Sequence, residues 1–504
     1  MIALRSNLSF VSFLLYAAAA LFAVHEHPSA WALEHEGSLP AAISHAVYGT
    51  RVGLYDTNVR NVFMELNRTG LTAQSLSNAV EVVSQGNIPR GGTTLGNEGI
   101  GAGQPLFMGV AAALFGPHLY SFSALFLLLM GIATLAFIAR FGDERLFMVP
   151  LAFAALSVML LTPLLSDQEV LDQVPIGGNR IFGMLGVLPA LHLYFDLREE
   201  QARVSSRAAR LSKLQLVLLV LTILVRSSSA YLLGLLALGA FERWRSTRAD
   251  RNRRLVFLRE TRGMLIVAVV SLTIMVATVY DYLLYGRVFG NVWHRAFVSL
   301  SIHPEWPFGN LREVYDCTKY IPEGLTRRHH DVNGACVWFA YPANRGRPGG
   351  QLVEGVFGPA YEATLRNVLF SVLRSYPRQA FELYFYYKPL LLWQTLTRAV
   401  DIEWRAFSGP VLGLVGLQVL LFLGFTVHGT LIGRPEATWR LAVIPILFVL
   451  SLPSQFLAWS SLHTGVEVVF YVYCLAAAAL ALVVQASVRT IARPVRMAGS
   501  GGIR

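Results

Sequence analysis

A carboxylate and an arginine four positions apart stand in the segment Tyr55-Asp56-Thr57-Asn58-Val59-Arg60. On a helix such a pair shares one face. An arginine at that spacing favours the charged carboxylate, which can then serve as a general base. Asp56 is thus the candidate catalytic residue. Glu65 follows on the same segment. A solvated ion pair at a helix start would show the same pattern.

A second acidic set reads Ser166-Asp167-Gln168-Glu169-Val170-Leu171-Asp172. Asp167 and Glu169 could hold a divalent cation, magnesium or manganese, through carboxylate oxygens. Such a cation would neutralise a leaving phosphate. A short acidic loop without a ligand fits equally. Asn179 and Arg180 close this stretch and could contact phosphate oxygens. Arg226 lies between two apolar runs and precedes Ser227-Ser228-Ser229. An arginine near membrane depth is a functional candidate, and a lipid-linked phosphate is a matching anion. Snorkelling to the interface is the alternative. His294, beside Trp293, and His303 could line the mouth of a substrate pocket, or be solvated loop histidines.

Other features exclude chemistry. No HExxH or CxxC pattern occurs, so zinc has no support. The Gly-rich segment 90–103 lacks the Lys-Ser/Thr of a phosphate loop. Tyr384, Tyr386, Tyr387, Lys388 and Trp393 read as an interfacial aromatic belt. They could also stack on a sugar or isoprenoid. His329 and His330 follow Arg327 and Arg328 and read as a solvated run.

The elements that must position these residues are membrane spans. Of 504 residues, 54% are hydrophobic and only 14% charged, against about 25% charged in globular chains. A mean hydropathy of +0.49 points the same way. The first apolar run, Leu8 to Val24, is a short span or a cleaved signal peptide. Further candidate spans are Tyr120 to Ile138, Leu146 to Leu165, Ile181 to Leu197, Met264 to Leu284, Val411 to Gly429, Leu441 to Trp459 and Val466 to Val488. Leu214 to Phe241 splits at Arg226 into two half-length or tilted helices, giving about ten spans. Basic segments at Arg198–Lys213, Arg243–Arg262, Arg434–Arg440 and Arg489–Arg504 mark the cytoplasmic side. Loops 25–119 and 285–407 then lie outside. These arginines account for the net charge of +11 without nucleic acid. Of three cysteines, Cys317 and Cys336 share the second outer loop, where a disulfide can form. Cys474 lies in an apolar span and reads as packing.

Tyr55-Asp56 with Arg60, then Gln104-Pro105-Leu106-Phe107, then Leu114-Phe115-Gly116-Pro117 resembles the GT-C superfamily of polytopic glycosyltransferases. The nearest branch is that of the bacterial protein-mannosyltransferases and aminoarabinose transferases. In the family an acidic motif sits in the first outer loop, and a Pro-Pro-Leu-like segment opens the next span. Asp56 matches the loop acid. Gln104-Pro105-Leu106 matches the Pro-Pro-Leu segment, its first proline replaced. Asp167 and Glu169 match the placement of a second acidic site, and Arg226 that of a basic residue between short helices. The likeness covers roughly the first 240 residues. Asp56-Thr57 stands where the family has Asp-Glu, and region 285–407 has no close counterpart.

The resemblance implies a polyprenyl-phosphate sugar donor, an extracytoplasmic active site and inversion at the anomeric carbon. The expected architecture is an all-α integral membrane bundle of about ten helices. Residues 1–284 form the catalytic module, 285–407 an outer helical cap, and 408–504 the last spans and a basic tail. Arg60, Arg180, Arg226 and His294 would bind the substrate or its phosphate. The acceptor would be an envelope glycan, lipid or protein, at the periplasmic face of the bacterial inner membrane. An envelope polymerase or ligase, or a lipid or solute transporter, are the alternatives.

Overall fold

The computed structural model describes residues 38–51, 54–69, 73–95, 103–116, 119–141, 183–198, 206–247, 292–306, 358–394, 443–458 and 466–499, with isolated positions between 308 and 338 and between 397 and 430. The first apolar run, the expected spans 146–165 and 264–284, and Asp167, Glu169 and Arg180 lie outside the described residues.

The described chain is built almost wholly of helices. Three are long and apolar enough to cross a membrane, at Ala124–Phe141, Ala208–Val225 and Cys474–Ile491. One departure from an all-α fold is a two-stranded antiparallel ribbon of β1 (Leu54–Asp56) and β2 (Thr93–Leu95). It is set among α1 (Ser38–Tyr48), α2 (Thr57–Thr69) and α3 (Ala73–Ser84). Then come α4 (Gly103–Phe115), α5 (Leu119–Phe141), α6 (Val187–Arg198) and α7 (Ser206–Val225). After a 3-10 turn at Ser227–Tyr231 the chain continues as α8 (Leu232–Thr247).

The split expected at Arg226 is present, and its cause is local. Arg226 has extended backbone (φ −133°, ψ 94°), so the α7 ladder stops there. The Ser229 N–H turns back to the Arg226 carbonyl at 3.0 Å. Of the half-length and tilted alternatives, the first member is not half-length. With 20 residues α7 spans about 30 Å, the thickness of a bilayer core.

Helices α5, α6, α7 and α8 pack around one core. Within a membrane such packing depends on close approach rather than on the hydrophobic effect. Gly239 of α8 meets the Tyr194 ring, where a Cβ would lie 2.9 Å from Cδ2. Polar side chains tie the helices at one end. Asp196 accepts from Arg140 Nε at 3.0 Å and from Ser212 Oγ, with His192 Nε2 at 3.3 Å. Tyr194 OH donates to Glu242 at 3.2 Å, and Arg243 donates to the Leu197 carbonyl at 3.1 Å. Arg140 and Asp196 end α5 and α6, whereas Ser212 lies near the start of α7. Arg226, at the end of α7, therefore sits at the opposite end of the bundle.

A second core is separate from the first. It joins α9 (Val292–Val298), the 3-10 turn Ser299–Ile302 and α10 (Pro359–Ser375), with Leu383 packed in from just beyond α11 (Pro377–Glu382), which itself buries no residue. Helix α11 widens into a π turn at Leu383–Tyr387 and runs on to Gln394. Both α9 and the turn after Arg226 pack on α12 (Val443–Ala458), which also packs on α13 (Val466–Gly499). Tyr231 and Tyr471 share a hydrogen bond at 2.6 Å, fixing the turn to α13. Cys336 is disulfide-bonded, and Cys474 is free and buried. Cys317 lies outside the described residues.

Candidate functional site

Helix α1 ends at Gly49, whose φ of +63° is open to glycine without strain. The Gly49 N–H returns to the His45 carbonyl at 3.1 Å, and the His45 ring bonds the Thr50 carbonyl at 2.6 Å. This reversal delivers β1 alongside α1. The Asp56 N–H then donates to Ser44 Oγ at 3.0 Å.

Asp56 is fully buried at the last position of β1, immediately before α2. It occupies the N-cap position of that helix. Its Oδ1 accepts from the N–H groups of Asn58 at 2.9 Å and Val59 at 3.4 Å. Its Oδ2 accepts from the Gly91 N–H at 2.7 Å. The Gly91 amide comes this close because the residue has no side chain: a Cβ there would lie 2.4 Å from Thr57 Oγ1. Three more bonds hold segment 88–92: Thr57 N–H to the Gly92 carbonyl at 2.8 Å, Asn58 Nδ2 to Pro89 at 2.9 Å and Tyr48 OH to Ile88 at 2.7 Å. Burial, and after it the negative charge of Asp56, pushes the Tyr48 phenol above its ordinary range.

The expected Asp56–Arg60 face does not form. Asp56 precedes the helix, and exposed Arg60 lies over the Tyr55 ring, 5.5 Å from its centroid. Asp followed by Thr-Asn before an amphipathic run is a readable N-cap signal.

Helix α4 connects this loop to Arg226. Its first residue, Gly103, lies against the end of α7, where a Cβ would meet the Leu224 carbonyl oxygen at 2.0 Å. Six residues on, about 9 Å along the helix, Gly109 faces the His45 ring, with a Cβ-to-Cδ2 distance of 3.2 Å. Helix α4 thereby gathers contacts from the Arg226 end of α7, beside Gln104-Pro105-Leu106, and from α1, whose Ser44 bonds the Asp56 N–H. Arg226 is half-buried. Ser229 Oγ, three residues on, is buried with no hydrogen-bond partner among the described residues.

His294 is not part of this gathering. It is buried in the second core, its Nδ1 sharing a hydrogen bond with Tyr361 OH at 2.7 Å. Glu362 accepts from the N–H groups of Trp293 at 2.8 Å and His294 at 3.1 Å. Burial outweighs these bonds and raises the Glu362 carboxyl above its ordinary range. His303 is also buried. Its Nδ1 accepts from the Glu305 N–H at 3.2 Å, so Nε2 carries the proton toward Glu382, also at 3.2 Å. Arg378, then His303, holds the Glu382 carboxyl below its ordinary range. The solvated-histidine expectation is thus corrected at both positions. Neighbouring polar and aromatic groups supply the partners that burial requires.

Lys388, assigned from sequence to an interfacial aromatic belt, is fully buried. Its Nζ donates to Ser299 Oγ at 3.1 Å and to the Phe456 carbonyl, and lies 4.5 Å from the Tyr384 ring centroid. Burial lowers its pKa to about 7. Among the described residues, no group of three or more His, Cys, Asp or Glu could hold a metal ion. No protein-family model, curated protein or solved structure matches the chain.

Proposed function

We propose that this membrane protein transfers a sugar from a polyprenyl-phosphate donor to an envelope glycan, lipid or protein. The reaction would take place on the extracytoplasmic face of a bacterial inner membrane. The proposed architecture is a GT-C-like bundle of about ten transmembrane helices. The second core would belong to the outer cap 285–407, and disulfide-bonded Cys336 fits an oxidising compartment.

One observation supports this proposal: helix α4 touches the Arg226 end of α7 through Gly103 and, through Gly109, the His45 ring on the helix that precedes the Asp56 strand. The opposite bundle end carries Arg140 and Arg243, which fits the positive-inside bias. In the proposed reaction an acceptor oxygen bonds to the anomeric carbon as the carbon–oxygen bond to phosphate breaks. Asp56 takes the acceptor proton, and polyprenyl phosphate leaves with the bonding electrons. Arg226, with Arg60 and Arg180, holds that phosphate. Asp167 and Glu169 order those arginines or hold magnesium or manganese. Catalysis by Asp56 also requires the 89–92 segment to open, because both carboxylate oxygens are covered.

That coverage favours a second reading, an envelope polymerase or ligase, in which arginines around a lipid-linked substrate suffice. Purified protein in lipid, offered polyprenyl-phosphate sugars singly with candidate acceptors, tests both. Release of polyprenyl phosphate by wild type, lost in Arg226→Ala and Asp56→Asn of unchanged folding, is the expected result. Undiminished turnover in Asp56→Asn discards the base. No turnover by wild type with any donor and acceptor pair rejects the transfer reaction.

A further inference from the structure

The helix running from Pro377 to Gln394 has two unlike faces. Leu383 and Lys388 point inward and are fully buried. Outward stand Phe381 (63% exposed), Phe385 (70%), Tyr386 (60%), Leu390 and Trp393 (64%). Phe381 and Phe385 stack on each other with centroids 4.6 Å apart, so their exposed surfaces merge into one patch. An aromatic side chain can bury about 150–250 Å². Scaled by their exposure, four such rings beside a leucine amount to an apolar surface at the upper end of what soluble monomers show. We propose that this face docks on the headgroup layer of a phospholipid bilayer.

Position, composition and charge each favour that occupant. Lys388 bonds the Phe456 carbonyl near the end of α12. Helix α12 is an apolar helix that leaves Val449 exposed on its own outer side. The aromatic face therefore begins where an apolar helix ends, which in a membrane is headgroup depth. Trp and Tyr among apolar residues are the side chains that settle at that depth. Arg374 and Arg378 stand exposed beside the patch, and their guanidinium groups suit lipid phosphates. The Arg378–Glu382 pair, at 2.9 Å, leaves that arginine 85% exposed, so it can still face a phosphate. This docking requires a membrane protein and is independent of the proposed transfer reaction.

The test places a bimane label at this face in the full-length protein, reconstituted in phosphatidylcholine–phosphatidylglycerol vesicles. Phe385→Cys and, separately, Trp393→Cys supply the attachment points. The native thiols interfere little, since Cys336 is disulfide-bonded and Cys474 is buried. Loss of label fluorescence on exchanging the lipid for one brominated near the headgroup is expected at both positions. Unchanged fluorescence in the brominated lipid overturns the proposal, because the face then meets water, a second copy or another protein. If Phe385→Cys does not fold, Trp393→Cys decides alone. Neither readout depends on turnover, so failure of the transfer reaction leaves the result interpretable.

Discussion

Replacing Asp56 by Asn changes one oxygen to an amide nitrogen in a fully buried position. Asn serves nearly as well as Asp at a helix N-cap. Its remaining oxygen can keep the Asn58 and Val59 N–H bonds, at 2.9 and 3.4 Å. The amide nitrogen then faces the Gly91 N–H, where the carboxylate accepted at 2.7 Å. Two donors in contact leave a buried amide unsatisfied, at a cost of about 1–3 kcal/mol. Local opening of segment 88–92 should become easier by about 5- to 100-fold, since each 1.4 kcal/mol is tenfold. Asp56→Ala loses the cap as well, adding about 1 kcal/mol.

Hydrogen exchange on the peptide containing Gly91 reads this directly, with thermal unfolding as the global check. Unchanged exchange in Asp56→Asn would refute the structural assignment of Oδ2. Gly91→Ala separates positioning from catalysis. It strains the same contact, with a Cβ 2.4 Å from Thr57 Oγ1, and leaves the carboxylate intact. If turnover in the two variants falls in proportion to loop opening, Asp56 is a positioning residue. A much deeper loss in Asp56→Asn assigns it the proton.

Three further outcomes follow. The folded-state pKa of Lys388 lies at about 7 against 10.5, so the unfolded chain binds more protons between those values, and stability rises with pH across that window. Thermal unfolding from pH 6.5 to 9 should show that rise in wild type, and Lys388→Met should flatten it. Gly103→Ala drives a Cβ into the Leu224 carbonyl and should cost about 1–3 kcal/mol. It would be seen as a lowered Tm and broadened size-exclusion profile; wild-type behaviour removes the α4–α7 contact from the site. Glu362→Ala leaves the Trp293 and His294 N–H groups without their acceptor and should destabilise the second core by about 1–3 kcal/mol, read by exchange of the 292–298 peptide.

The helix break at Arg226 was legible because a charge and three serines interrupt an apolar run. The long helices were legible from hydropathy alone. Partners distant in sequence were not. Nothing near Asp56 announces that Gly91, 35 positions later, donates to its carboxylate. Likewise, Lys388 among tyrosines reads as an interfacial side chain until Ser299 and Phe456 arrive from 89 and 68 residues away. His294 and His303 looked solvated because their partners, Tyr361 and Glu382, come from helices 67 and 79 positions on.

The two ends of the bundle differ in how their charged groups are placed, and the proposed function puts the ligand at the Arg226 end. At the Asp196 end the carboxylate has Arg140, Ser212 and His192 around it at once. This network ties α5, α6 and α7 together, although the buried His192 Nδ1 has no hydrogen-bond partner among the described residues. At the Arg226 end the backbone itself is interrupted. Arg226 sits half-buried on extended backbone, and Ser229 Oγ is buried with no hydrogen-bond partner among the described residues. Broken helices at membrane depth persist where the freed groups line a cavity or are covered by protein. Helix α4 covers one side through Gly103, and the Tyr231–Tyr471 contact fixes the other. In the proposed reaction the lipid phosphate would meet the Arg226 guanidinium here, near the buried Ser229 hydroxyl. The Arg226 variant is for that reason a sharper probe of substrate binding than any change at Arg140 or Asp196, whose loss would loosen helix packing instead.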